Sequence, residues 1–230
     1  IERVQNTVAD LEGILKTSRL TPGFAGKLYG RMQWASSTIF GRFGRAMLRA
    51  FSRRQHEPGR FNMNPQIRAA CEFWIRNLPN VRPREVPINP HLMPLAISYS
   101  DGEGESAGVG IGLWLPNGTI LGGYTRVPSE IRRMWSRRES LEGVRDIFQI
   151  EAVGPLLVLW NWGHLFRDHL WIHLIDNEGA LASLAKGSSS VLSGEIIVGL
   201  THELAASLGI LGWYDRVDSF SNPVDKLSRG

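Results

Sequence analysis

Four carboxylates in this chain stand where oxygen ligands for divalent cations are wanted. They are Asp101 in Ser100-Asp101-Gly102, Glu151 in Ile150-Glu151-Ala152, Asp176 in Ile175-Asp176-Asn177 and Asp225 in Pro223-Val224-Asp225-Lys226. Each alone is ordinary. Together they fit one chemistry: a pair of magnesium ions about 4 Å apart needs several converging hard oxygens, and carboxylates from scattered positions supply them. Two cations so held activate a water and stabilise a leaving oxygen, which is what cutting a phosphodiester requires. Other candidates fit less well. Glu103 and Glu105 fall in a turn and read as solvated. Asp146 is a rival to Glu151, which could also be a glutamate favoured by a helix N-terminus. His164, His169, His173 and His202 invite a zinc reading, but His169 and His173 have helical spacing within a strand-like run, and Cys71 is the only thiol.

For the four acids to meet, strands and helices must carry them. Residues 95–101, 107–115 and 119–127 read as three antiparallel strands, with Pro116-Asn117-Gly118 as a hairpin turn. A helix over about 146–165, a strand over 170–175 ending at Asp176, and helices over about 177–186 and 191–208 follow. A strand near 210–217 leads to a last helix opened by Asp225. This order predicts an α+β fold, a mixed sheet with helices packed on it. Asp101 and Asp176 are expected on neighbouring strands, and Glu151 and Asp225 on helices laid against one face. The glycines of Gly108-Val109-Gly110-Ile111-Gly112 lack the order of a dinucleotide loop and predict close backbone packing.

The front of the chain is helical. Ile1, Val4, Val8, Leu11 and Leu15 recur at helical steps; Thr21-Pro22 and Asn64-Pro65 open helices over 22–37 and 64–78. Between them, Arg42, Arg45, Arg49 and Arg53 fall at steps of three, four and four. On a helix they form one cationic stripe able to follow a phosphate backbone, or a solvated face. Arg132, Arg133, Arg137 and Arg138 carry the same two readings. Prolines at 79, 83, 87, 90 and 94 mark a linker.

Charge divides with the pattern. Residues 1–93 hold 15 Lys/Arg against 6 Asp/Glu, or +9; residues 94–230 hold 11 against 16, or −5. A basic half beside an acidic half suits a polyanion-binding module joined to a cation-binding one. At 230 residues and 43% hydrophobic content the chain has a core to bury. One cysteine excludes an internal disulfide framework and points to a reducing, intracellular compartment, cytoplasmic or nuclear. No apolar run reaches the ~18 residues a membrane span needs. The opening Ile1-Glu2-Arg3-Val4 reads as part of a longer chain.

Residues 95–230 resemble the ribonuclease H domain of retroelement reverse transcriptases. The resemblance is carried by Tyr99-Ser100-Asp101-Gly102, by Glu151 on an apolar helix, by Ile175-Asp176-Asn177 with Ala180-Leu181 after it, and most specifically by Ser221-Asn222-Pro223-Val224-Asp225-Lys226-Leu227-Ser228-Arg229. The front half is similar to the thumb and connecting region of DIRS-type and related elements, in Leu20-Thr21-Pro22-Gly23, Lys27-Leu28-Tyr29-Gly30-Arg31-Met32-Gln33-Trp34 and Gly41-Arg42-Phe43-Gly44-Arg45. It implies a thumb-like region over 1–78, a linker over 79–94 and a ribonuclease H-like domain over 95–230. It further implies catalytic metal-binding roles for Asp101, Glu151, Asp176 and Asp225 with two Mg²⁺ ions (Mn²⁺ a possible substitute). The substrate implied is an RNA/DNA hybrid, its duplex backbone held by Arg42, Arg45, Arg49 and Arg53. Two departures stand out. The loop before the last aspartate, 213–224, has no histidine, where many family members carry one. No Asp-Asp dipeptide of a polymerase palm occurs, so the palm and fingers are expected upstream in the same polypeptide. A catalytically silent module kept as an RNA-binding scaffold, and another nuclease or a transposase on the same fold, remain open alternatives.

Overall fold

Three helices in the computed structural model open at residues whose side chains close their first turns. The structure describes residues 2–39, 41–81, 83, 88, 89, 92–139 and 146–230, with side chains in the stretch 92–139 described to residue 135. Part of the expected linker lies outside them. The chain divides into two units, residues 1–86 and 87–230.

In the first unit, α1 (Glu2–Thr17) buries Leu11 and Ile14 on one side. Thr21 accepts the Phe24 N–H at 3.3 Å to open α2 (Pro22–Ser37), and Asn64 accepts the Ile67 N–H at 2.8 Å to open α4 (Pro65–Asn77). The basic run departs from expectation. Only Leu48–Arg54 form a helix, α3, while residues 41–47 are successive turns with i to i+3 bonds such as Met47 N–H to Gly44 O. Arg42 and Arg45 therefore precede the helix that bears Arg49 and Arg53, and the continuous stripe is replaced by a bent one. All four are half-buried. Gly41 and Gly44 cause the bend: both have positive φ, and a side chain on Gly44 would run into the Trp74 ring. Buried Arg54 ties this unit together, donating to Leu20 O at 3.0 Å and Asn62 O at 2.9 Å and pairing with Glu57.

In the second unit, described residues form one five-stranded sheet: β1 (Leu95–Glu103), β2 (Gly108–Trp114), β3 (Ile120–Arg126), β4 (Leu170–Ile175) and β5 (Leu211–Arg216). The order is β3-β2-β1-β4-β5, antiparallel through β1 to β3 and parallel from β1 to β4 to β5. This is the mixed α+β sheet that the order of elements predicts. The helices are α5 (Ser129–Glu139), α6 (Ile147–Trp162), α7 (Glu178–Lys186), α8 (Leu192–Ser207) and α9 (Asp225–Ser228). A core of Val109, Ile111, Leu113, Ile150, Val158, Trp171, Ile175 and Val198 lies between the sheet and α6 and α8.

Side chains alternate along a strand, and directly paired residues share a face. Ser98, Ser100 and Gly102, with partners Leu113, Ile111 and Val109, thus face α6. Tyr99, Asp101 and Glu103, with partners Gly112, Gly110 and Gly108, face the other way, where α9 lies. So α6 and α9 lie on opposite faces, which corrects the expectation of one shared face. The three glycines supply the close packing read from their sequence: a Cβ on Gly108 would strike Ser228 O, and one on Gly110 would stand 2.7 Å from Ser228 N and 2.8 Å from Val224 O.

Candidate metal centre

The acids converge where two parallel strands part. Pairing of β1 with β4 ends at Tyr99 and Leu174. Asp101 and Asp176 each lie two residues past that last pair, at the same level and on the same face. Asp176 is immediately followed by Asn177, whose side chain accepts the Ala180 N–H at 2.9 Å and turns the chain into α7.

Glu151 arrives from the opposite face, through a gap left by a missing side chain. A Cβ on Gly102 would stand 3.1 Å from the Glu151 carboxyl carbon and 3.1 Å from its backbone nitrogen. The Gly102 N–H instead donates to the Glu151 carboxylate. One turn further along α6, Gly154 has no room for a Cβ beside Ser100, so helix and strand touch backbone to side chain. Pro155 follows inside the helix and cannot donate to the Glu151 carbonyl.

Among the described residues, Asp101, Glu151 and Asp176 present ligand oxygens that all lie within 4.8 Å of one another. Asp225 stands beside this group, close enough to act electrostatically on Asp101, but its Oδ1 accepts from Arg229 at 2.9 Å. Three of the four candidates are therefore brought together, with the fourth at the rim. The rival Asp146 is engaged by Arg132 through both carboxylate oxygens.

The electrostatics are those of anions short of cations. Burial pushes the Glu151 carboxyl from 4.5 up to about 9, with the Asp176 and Asp101 charges adding to the rise. Burial likewise raises Asp101, opposed by the Ser228 hydroxyl and reinforced by Asp176 and Asp225. Glu151 Oε2 and Asp176 Oδ1 are buried without a hydrogen-bond partner, which buried polar atoms rarely are. Orphaned oxygens in an all-carboxylate set fit a hard divalent cation such as Mg²⁺; zinc favours nitrogen and sulfur. The histidines take no part: His173 is buried between serines with its pKa pushed down to about 3 by burial, and His202 contacts Leu184 O at 2.9 Å.

Two positioning contacts were not anticipated from sequence. Ser219, in the loop lacking histidine, donates to Asp176 Oδ2 at 2.7 Å. Buried Asn222 donates to Ser100 O at 3.0 Å and anchors the segment that delivers Asp225. Arg42, Arg45, Arg49 and Arg53 belong to the first unit and are no part of this cluster. Among the described residues no helix is long and apolar enough to cross a membrane.

No protein-family model and no curated protein matches the chain. Among solved structures it is similar to ribonuclease H1 of the halophilic archaeon Halobacterium salinarum NRC-1, at 15% identity and a TM-score of 0.46, over 59% of this chain and 95% of that one. It is also similar to a foamy viral protease-reverse transcriptase in complex with double-stranded DNA, at 11% identity and a TM-score of 0.29, over 93% of this chain. The chain spans 35% of that protein's length. The α+β class rests on the chain's own strand order, a mixed five-stranded sheet with helices on both faces.

Proposed function

We propose that residues 87–230 form a divalent-metal-dependent nuclease that cuts the RNA strand of RNA/DNA hybrids, as the C-terminal part of a retroelement reverse transcriptase. The observation that carries this reading is the convergence of Asp101, Glu151 and Asp176, with orphaned oxygens on the last two. Asp101, Glu151 and Asp176 would hold the metal, and Asp225 would join them on leaving Arg229. Bound there, a pair of Mg²⁺ ions supplies an acidified water and charge stabilisation at the leaving 3′ oxygen.

The chain's own contribution is preorganisation. Gly102 N–H holds the Glu151 carboxylate, and Ser219 holds one oxygen of Asp176 so that the other points free. Arg229, at the rim beside Asp225 and within electrostatic reach of Asp101 and Glu103, meets an incoming phosphate with positive charge. Recognition of RNA over DNA rests on the 2′-hydroxyl. In the first unit, Arg42, Arg45, Arg49 and Arg53 would grip the duplex backbone without reading sequence.

Asp176→Asn tests the reading. Hybrid cleavage in magnesium should fall by at least about a hundredfold, as for loss of a preorganised charge-stabilising group, while hybrid binding survives. Undiminished cutting sinks the assignment. Parallel assays on hybrid, RNA duplex and DNA duplex separate this activity from that of another nuclease or transposase. Failure of the wild-type chain to take up magnesium calorimetrically would leave a scaffold.

A further inference from the structure

The three clustered acids come from separate segments, and Asp225 from a fourth, yet one small residue meets all of these segments through its side chain and its carbonyl. Ser100 directly precedes Asp101 on β1. Its hydroxyl lies 2.9 Å from Nε2 of His173 on β4, three residues before Asp176. Its side chain fills the space that a Cβ on Gly154 of α6 would need, three residues after Glu151. Its carbonyl accepts from Asn222, three residues before Asp225. Ser100 and His173 are both fully buried.

A buried hydrogen-bond chain runs through the imidazole ring. The indole N–H of Trp171 can only donate, and it donates to Ser98 Oγ at 2.7 Å. Ser98 Oγ, able to donate and to accept, lies 2.7 Å from His173 Nδ1, and Ser100 Oγ lies 2.9 Å from Nε2. Burial pushes the His173 pKa down to about 3, so the ring is neutral at ordinary pH and one nitrogen donates while the other accepts. Ser98 and His173 are direct partners in the parallel ladder. The Ser100 contact is thus a diagonal brace, placed at the last stretch of pairing before the strands part.

We infer that Ser100 and His173 are positioning residues of the metal centre, setting the separation of the acid-bearing segments through the hydrogen bond between His173 Nε2 and Ser100 Oγ. The inference rests on the metal-binding reading above. The brace acts at the end of backbone pairing, from paired His173 to Ser100 just past the last pair, so it controls the spacing of Asp101 and Asp176. Through Gly154 it sets how deeply α6 seats, and therefore how far Glu151 reaches through the gap at Gly102. Ser98 makes an equally buried bond to the same ring, but its side-chain hydrogen bonds go to Trp171 and His173 of β4, before the strands part.

The experiment compares magnesium affinity of the full chain by calorimetry across four variants, with thermal midpoints measured in parallel. Ser100→Ala and His173→Asn remove the brace, because an asparagine amide reaches the position of Nδ1 and not that of Nε2. Ser98→Ala and His173→Gln keep it, the glutamine amide standing in for Nε2. The expected result is at least a tenfold loss of affinity in the first pair and less than twofold in the second. Ser98→Ala should nevertheless lower the thermal midpoint about as much as Ser100→Ala. If Ser100→Ala does not fold, the asparagine and glutamine variants carry the comparison. Equal affinities of Ser100→Ala and Ser98→Ala, or of His173→Asn and His173→Gln, overturn the brace while leaving the metal site standing. Absence of magnesium uptake by the wild-type chain overturns the metal-binding reading, and the brace with it.

Discussion

Glu151 carries the largest tension in the second unit. Its carboxyl is held up at about 9 in the fold against 4.5 as the reference value. Between those values the folded chain keeps a proton that the unfolded chain gives up. The group therefore costs nothing below about pH 4.5, destabilises increasingly as pH rises through the window, and adds no further slope above about 9. In chelator, the thermal midpoint should fall from about pH 5 to about pH 9. Glu151→Gln should remove most of that slope and raise the midpoint near pH 8 by several degrees, the effect of about 1 kcal/mol or more. Magnesium should then stabilise the wild-type chain and leave the glutamine variant unmoved. A wild-type midpoint flat across the window would contradict the burial account. Function and stability separate here: an acid whose neutralisation stabilises the fold is kept for something other than folding.

Two glycines decide how elements meet at the site. Gly154→Ala improves helix propensity by up to about 1 kcal/mol, yet the new Cβ falls on Ser100. Overpacking of this kind costs about 1–3 kcal/mol, so the variant should be destabilised on balance in denaturant unfolding, with α6 lifted from β1. A gain in stability would show that the helix has slack. Gly110→Ala acts on the other face, where its Cβ would press on Ser228 N and Val224 O. The core between the sheet and α6 is not touched. The midpoint should move little, while amide exchange at Leu227 and Ser228 accelerates and hybrid cleavage drops at least several-fold. Cleavage at the wild-type rate would mean that the placement of α9, and with it Asp225, is dispensable.

Across the whole chain the charges are segregated, +9 over residues 1–93 and −5 over 94–230. Each neutralised phosphate contributes a slope of about −0.7 to −0.9 to the dependence of log affinity on log salt. Replacing Arg42, Arg45, Arg49 and Arg53 with glutamine, which keeps much of each stem, should weaken hybrid binding and flatten that slope by roughly one unit for each phosphate no longer neutralised. An unchanged slope removes this segment from the nucleic-acid interface. Among the described residues the main hydrophobic cluster runs from Ala96 to Tyr214, within the second unit. Residues 87–230 alone should accordingly unfold cooperatively and retain magnesium uptake, with hybrid affinity reduced.

Sequence by itself marked most of the elements, though not α5, and named the acids that meet, because these depend on local pattern. Strand-like runs marked β1 and β4, the proline-preceding Thr21 and Asn64 marked helix starts, and a polar residue ending an apolar run exposed Asp176. The basic run misled for a physical reason: its helical periodicity is real, but Gly41 and Gly44 adopt positive φ and Trp74 packs against the second of them. Tertiary structure alone decided which face each helix takes, since a strand offers both and only distant partners choose between them. It placed α6 and α9 on opposite sides of β1, let Glu151 through at Gly102, and held Asp225 on Arg229. It also buried His173 between two serines, a placement without local signature because each hydrogen-bond partner comes from some 75 residues away.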